Sequence, residues 1–164
     1  MIHKKKIREE ADRREALHEK HASSRPLSDD YEFTGLLGEA EFAERLGLEV
    51  DIRSLPGGDC GIDFNIPVAV TVDVKTSEKP PKWLLVENGK VRADIYVLAR
   101  RHKDDSIELL GWARASYILR TPVKDYGNCG IMSYGVPLVD LCPMSSMYHS
   151  VRRAQELAPN ITLK

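Results

Sequence analysis

The sequence predicts an α/β fold in which helices flank a mixed central β-sheet. Apolar residues recur with a helical period at 31–46. Apolar and polar residues alternate at 62–66 and again at 70–76, which is typical of two neighbouring strands. Further strand-like segments follow residue 80, and a helical pattern follows Pro143. This order of elements predicts a sheet of roughly four or five strands with helices packed on its faces.

The composition is that of one folded domain. The chain has 164 residues, of which 42% are hydrophobic and 30% charged, so we expect a packed core. Its formal net charge of −1 excludes a global basic field for nucleic acid, although a local basic patch stays open. No apolar run reaches the ~18 residues of a membrane span, and the charged N-terminus lacks a signal-peptide core. We therefore expect a cytoplasmic protein without a membrane partner.

Three cysteines, Cys60, Cys129 and Cys142, form no C-x-x-C pair. A disulfide framework or a zinc ribbon is therefore not expected, and each thiol is interpreted as buried and unreactive.

Residues 1–28 form a polar, charged lead before the domain, which we place at 29–164. The lead favours a helix by composition but offers only a thin apolar stripe of Ile7, Ala11 and Leu17. Two interpretations stay open: a solvent-exposed helix, or a basic arm that touches nucleic acid.

The helix predicted at 31–46, which Gly47 ends, carries one acid on its apolar face. On a helical wheel Glu39 falls between Leu46 and Ala43, with Phe42 next to Leu46. A buried carboxylate requires a cation, a hydrogen-bond network or a proton. Glu39 is therefore either a functional acid or a structural one, at the rim of the core or paired with an arginine.

The alternating segments at 62–66 and 70–76 predict a β-hairpin with one polar face. Val70, Val72 and Val74 point one way, whereas Asp73 and Lys75 point the other way, side by side. Asp63 lies on the polar face of the first segment.

The remaining predicted elements are five strands and two helices. They are strands at 48–53, 83–86, 93–101, 107–114 and 134–140, a short helix in "RASYILR", and a C-terminal helix with Met144, Met147 and Val151 on one side.

Clustered carboxylates beside a lysine indicate a particular chemistry. The carboxylates raise each other's pKa unless a cation lies between them, and hard oxygen ligands suit Mg²⁺ or Mn²⁺. Such a metal can activate a water molecule, and a neighbouring lysine can orient that water or stabilise negative charge on a phosphate. The pattern therefore favours phosphodiester hydrolysis.

The segments "GLLGEAEFAERLG", "GGDCGIDF" and "VTVDVKTS" resemble the PD-(D/E)XK nuclease superfamily, which has the restriction-endonuclease-like fold. They look most similar to small members encoded by phages and mobile elements. The resemblance implies that Asp63 and Asp73 are the two motif acids, Lys75 the motif lysine and Glu39 the acid of the first core helix. It also implies Mg²⁺ or Mn²⁺ bound by Asp63, Asp73 and Glu39. Cys60-Gly61-Ile62 precedes Asp63, so the proline of the motif name is absent.

Other polar residues are candidates for contacts with nucleic acid. The "GGD" loop allows close approach of a backbone, and a basic string lies at the turn after residue 99. The candidates are Asp59, Thr76, Arg100, Arg101 and Lys103.

The leading function hypothesis is a metal-dependent nuclease that cuts DNA. A structure-selective resolvase of branched DNA and a non-catalytic nucleic-acid-binding module with the same fold are the alternatives. A metabolic domain with an organic cofactor lacks support, because the sequence has no GxGxxG or Walker A motif. Homodimers are common among relatives that cut both strands, but the sequence assigns no interface.

Overall fold

The computed structural model describes residues 4–18, 30–48, 61–66 and 70–157, which form a mixed α/β fold with a mixed sheet and four helices. Of the predicted strand at 48–53, only Leu48 is inside these ranges, and Asp59 and Cys60 lie outside them.

The first two helices pack against each other. Helix α1 spans Lys4–His18 and helix α2 spans Tyr31–Leu46. Gly47 ends α2 with a left-handed φ of 64°, which suits glycine because it has no Cβ. Ile7 and Ala11 of α1 are buried in an apolar cluster with the α2 side chains Phe33, Leu36 and Leu37. Residues 4–18 thus form a helix that packs on α2 through Ile7 and Ala11, while most of its other described side chains are exposed. Contact of this helix with nucleic acid stays a prediction.

The central sheet has four strands in the order β1-β2-β4-β5. Its strands are β1 Phe64–Ile66, β2 Val70–Ser77, β4 Ile95–Arg101 and β5 Ile107–Arg114. Strands β1 and β2 form the predicted antiparallel hairpin, β2 and β4 are parallel, and β4 and β5 are antiparallel. The sheet is therefore mixed, as the sequence predicts.

A second, three-stranded sheet has the order β3-β7-β6. Its strands are β3 Trp83–Glu87, β6 Val123–Lys124 and β7 Ser133–Pro137. The short β6 has no counterpart among the predicted elements. The strand predicted at 134–140 ends at Pro137, because residues 138–140 form a 3₁₀ turn.

The last two helices are α3 Ala115–Ile118 and α4 Met144–Leu157. Met144, Met147 and Val151 are buried, which confirms the predicted apolar side of the C-terminal helix. In the described part of the chain, none of the helices is long and apolar enough to cross a membrane.

The two faces of the central sheet have different covers. Helices α2 and α4 pack on the face that carries Val72 and Val74, in one cluster with Phe42 and Met147. On the opposite face Tyr96 and Leu98 pack with residues of the second sheet, including Leu84, Val86 and Val136. The sequence predicts helices on both faces, and here a β-sheet covers one of them. Asp73 and Lys75 belong to this sheet-covered face, since side chains alternate along β2.

The two described cysteines correct the expectation of buried thiols. Cys129 and Cys142 are both exposed, and neither forms a disulfide within the described residues.

Candidate active site

Asp73 and Lys75 form an ion pair on β2. Lys75 Nζ lies 2.7 Å from Asp73 Oδ2. Residues two apart on a strand share a face, which explains why these side chains meet. The Asp73 side chain is only 5% exposed, whereas that of Lys75 is 43% exposed. The pair therefore begins inside the protein and ends at the solvent.

Asp63 joins this pair from the residue immediately before β1. Its N–H donates to the Val72 carbonyl at 2.9 Å, and its Oδ2 accepts a hydrogen bond from the Val74 N–H at 2.6 Å. The pairing of β1 with β2 ends at Phe64 and Val72. Beyond this point the Asp63 carboxylate, rather than a backbone carbonyl of β1, accepts the hydrogen bond of the Val74 N–H. Asp63 is thereby fixed beside the segment that carries Asp73 and Lys75.

Gly61 brings the backbone of the preceding segment close to Asp73. Its φ is +78°, and a Cβ built on it would lie 4.0 Å from Asp73 Oδ2. Gly61 is not among the predicted site residues, although a glycine two residues before a candidate acid is the kind of signal that marks such a close approach.

The charges of the two aspartates act on Lys75. Burial by itself lowers the pKa of Lys75, but the charge of Asp73, its hydrogen bond and the charge of Asp63 raise that pKa above its ordinary value. Lys75 is therefore a cation at neutral pH. The structure thus brings together three of the four residues predicted to be catalytic: Asp63, Asp73 and Lys75.

Glu39 has a different neighbourhood. It is half-buried on α2, and its charge raises the pKa of Arg14 on α1 against the lowering effect of burial. The neighbouring Gly38 contacts Thr76, which shares its side of β2 with Val74 rather than with Asp73. Helix α2 thus lies on the face opposite the Asp73–Lys75 pair. The alternative of a glutamate beside an arginine matches this placement.

A divalent metal ion fits the donor set of Asp63 and Asp73. Mg²⁺ is commonly held by one or two carboxylates together with water and substrate phosphates, and these two residues supply two carboxylates, one from the residue before β1 and one from β2. Across the residues that the structure describes, no three His, Cys, Asp or Glu side chains are grouped to hold a metal ion. Glu39, Asp63 and Asp73 therefore do not form a three-carboxylate group here, and binding of the metal or its water by Glu39 stays a prediction.

The candidates for nucleic-acid contact fall into different environments. Thr76 Oγ1 is buried against Gly38 and has no hydrogen-bond partner among the described residues, so it does not face the solvent. Arg101 is bound into the protein: its guanidinium donates to Asp105 at 2.6 Å and to Thr34 at 2.8 Å. Lys103 is exposed in the turn between β4 and β5. Arg100 is half-buried, and its Nε has no hydrogen-bond partner in the part of the chain that the structure describes.

Comparisons with family models, with curated proteins and with solved structures find no significant match to this chain. The fold and the site therefore define the class of protein only as a mixed α/β domain with an Asp-Asp-Lys cluster at the edge of its central sheet.

Proposed function

We propose that this protein is a metal-dependent nuclease that hydrolyses phosphodiester bonds in DNA on a restriction-endonuclease-like core. The observation that supports the proposal is that Asp63, which directly precedes β1, lies beside Asp73 and Lys75 of β2, with the pKa of Lys75 raised and its side chain partly exposed. A carboxylate pair beside a fixed cation is suited to a substrate whose reacting group is an anion that gains further charge.

Asp63 and Asp73 are the residues that would hold Mg²⁺ or Mn²⁺. When bound, such an ion polarises a phosphate oxygen and lowers the pKa of a bound water. The protein's own contribution is orientation, because the Val74 N–H fixes one carboxylate and Lys75 contacts the other.

Lys75 acts in this proposal as a positive charge rather than as a proton acceptor. Its raised pKa keeps it protonated at neutral pH. A protonated ammonium beside the acids stabilises the charge that develops on a phosphate oxygen and can orient the attacking water. It has no vacant lone pair with which to remove a proton from that water.

The test is cleavage of supercoiled plasmid by the pure protein in Mg²⁺ or Mn²⁺, with EDTA as the metal-free reference. Asp73→Asn should abolish cleavage. Asp140→Asn is a matched control, because Asp140 is exposed in the 3₁₀ turn and has the same change of charge. Circular dichroism of both variants checks that they are folded.

The same cleavage reaction on branched and linear duplexes, together with a DNA-binding measurement, separates the alternatives. Cleavage confined to branched DNA would assign a structure-selective resolvase. Binding of DNA without cleavage in either metal would assign a non-catalytic module and overturn the nuclease proposal.

A further inference from the structure

Two consecutive arginines at the end of β4 lie on opposite faces of the central sheet. Arg101 lies on the side of α2, where its guanidinium contacts Asp30 and Thr34 and lies 5.0 Å from the centre of the Phe33 ring. Its side chain is only 13% exposed. Because side chains alternate along a strand, Arg100 projects from the other face.

This other face is the one that carries Asp73 and Lys75. In the parallel pairing of β2 and β4, Lys75 is opposite Leu98 and Ser77 is opposite Arg100. Arg100 therefore lies one strand away from Lys75 and one side-chain repeat further along, about 6.8 Å in the strand direction. This places a second cation on the same surface as the Asp-Asp-Lys cluster.

The side chain of Arg100 has a buried polar atom without a partner, because its Nε makes no hydrogen bond within the described residues. Glu108 is opposite Arg100 on β5, but its carboxylate contacts His102 Nε2 at 3.1 Å. A buried N–H without an acceptor is unfavourable, and a guanidinium is well shaped to bind two oxygens of a phosphate. An anionic group is thus the ligand that this position lacks.

We propose that Arg100 binds a backbone phosphate of DNA next to the phosphate that reacts at Asp63, Asp73 and Lys75. The inference rests on the proposed function, since it names how the same site holds its substrate. Arg100 is a substrate-binding residue in this scheme, and Arg101 is a structural one.

The first experiment measures binding without cleavage. A fluorescein-labelled DNA duplex is titrated with wild type and Arg100→Gln in EDTA by fluorescence anisotropy, over a range of salt concentrations. Loss of one phosphate contact should weaken binding about tenfold and reduce the slope of log K against log salt by about 0.9. Arg152→Gln is the matched control, because Arg152 is an exposed arginine of α4, the helix on the opposite face of the sheet.

The second experiment excludes a structural role. The melting temperature of Arg100→Gln should be close to that of wild type, because Arg100 Nε makes no hydrogen bond within the described residues that the change could break. Arg101→Gln should lower it by several degrees, since that guanidinium is bound to three segments, at Asp30 and Thr34, at Glu78 and at Asp105. Arg100→Lys should keep the salt slope, because it retains the charge.

The outcomes for the inference and for the proposed function are distinguishable. If wild type cleaves DNA while Arg100→Gln has an unchanged salt slope, the inference is overturned and the nuclease proposal stands. If wild type never cleaves but Arg100→Gln reduces the salt slope by the expected amount, the nuclease proposal is overturned, and only the binding of a DNA phosphate by Arg100 stands. A fall in the melting temperature of Arg100→Gln as large as that of Arg101→Gln would assign Arg100 to the structure and also overturn the inference.

Discussion

The Asp63 carboxylate accepts a hydrogen bond from the Val74 N–H at 2.6 Å, at the point where β1 stops pairing with β2. One acid thus has two tasks: it completes the edge of β2, and it contributes charge to the site. The two tasks can be separated, because only the second requires a negative charge.

Asp63→Ala should lower both stability and activity, whereas Asp63→Asn should lower activity alone. Alanine leaves the Val74 N–H without its acceptor, which costs about 1–3 kcal/mol of unfolding free energy. The asparagine carbonyl can still accept that hydrogen bond, so we expect a loss under about 1 kcal/mol. Urea denaturation measures the stability of the two variants, and plasmid nicking measures their activity. Equal stability of wild type and Asp63→Ala would contradict the edge role.

Two replacements of Lys75 should show separately how the charge and the shape of this side chain affect the cleavage rate. Lys75→Ala removes the cation from Asp73 and should lower the cleavage rate by about 10²–10³, because a preorganised charge is lost. Lys75→Arg keeps the charge but should restore the rate poorly, since a planar guanidinium does not replace a compact ammonium. Single-turnover cleavage at saturating Mg²⁺ is the measurement. A folded Lys75→Ala protein that cuts within threefold of wild type would remove Lys75 from the mechanism.

The same variants should differ in stability. Breaking a buried ion pair costs about 3–5 kcal/mol, but the solvent that reaches Lys75 screens this one, so we expect about 1–2 kcal/mol for Lys75→Ala. Lys75→Arg should retain most of it. Chemical denaturation at pH 7 gives both values, and a Lys75→Ala protein as stable as wild type would show that the buried Asp73 carboxylate does not depend on Lys75.

Local sequence pattern predicted the parts of the site that depend on alternation along one strand. The bounds of α2 and the shared face of Asp73 and Lys75 follow from periods of 3.6 and 2 residues. The opposite faces of Arg100 and Arg101 also follow from that alternation, although composition alone grouped them as one basic string.

Long-range pairing could not be predicted in this way. The second sheet pairs Trp83 with Pro137, and no local period encodes a contact between segments so far apart. The placement of Glu39 near Arg14 likewise depends on how α1 packs on α2. Glu39 was therefore assigned to the site by resemblance, and its neighbourhood emerged only from the fold.

Stability should fall in acid partly through Asp30, which lies at the start of α2. A hydrogen bond from Arg8 and further interactions with Arg8 and Arg101 lower the pKa of Asp30 below its ordinary value. A lowered folded-state pKa stabilises the protein above the unfolded pKa of about 3.9, and this contribution is lost as the pH falls through the folded-state pKa. Since the Asp30 side chain is 42% exposed, solvent screening limits the contribution to about 1 kcal/mol at most.

Asp30→Asn tests this expectation. It should destabilise the protein at pH 7, and the difference from wild type should vanish below the folded-state pKa. High salt should also reduce the difference, because it screens partly exposed charges. Denaturation curves from pH 2 to 7 measure it, with Asp140→Asn as control. A difference that persists unchanged at the lowest pH would show that the charge of Asp30 is not its cause.

The contact of α2 with β2 at Gly38 should tolerate no side chain. A Cβ on Gly38 would collide with Thr76 Oγ1, the buried hydroxyl one residue after Lys75. Gly38→Ala should therefore destabilise by about 1–3 kcal/mol, although alanine is the better helix former. Gly35→Ala is the control on the same helix. Its Cβ would meet only Glu39 Oε1, at 4.0 Å, so helix propensity should stabilise that variant by up to about 1 kcal/mol.

Thr76→Ala removes the colliding hydroxyl, so Gly38→Ala should cost less stability in that background. The rescue should be partial, because Thr76 Cβ is itself 3.1 Å from the added atom. Urea denaturation of the four proteins of this double-mutant cycle gives the coupling, which we expect to reach about 1 kcal/mol or more. If the changes in unfolding free energy of Gly38→Ala and Thr76→Ala simply add, α2 and β2 are not in tight contact at this point.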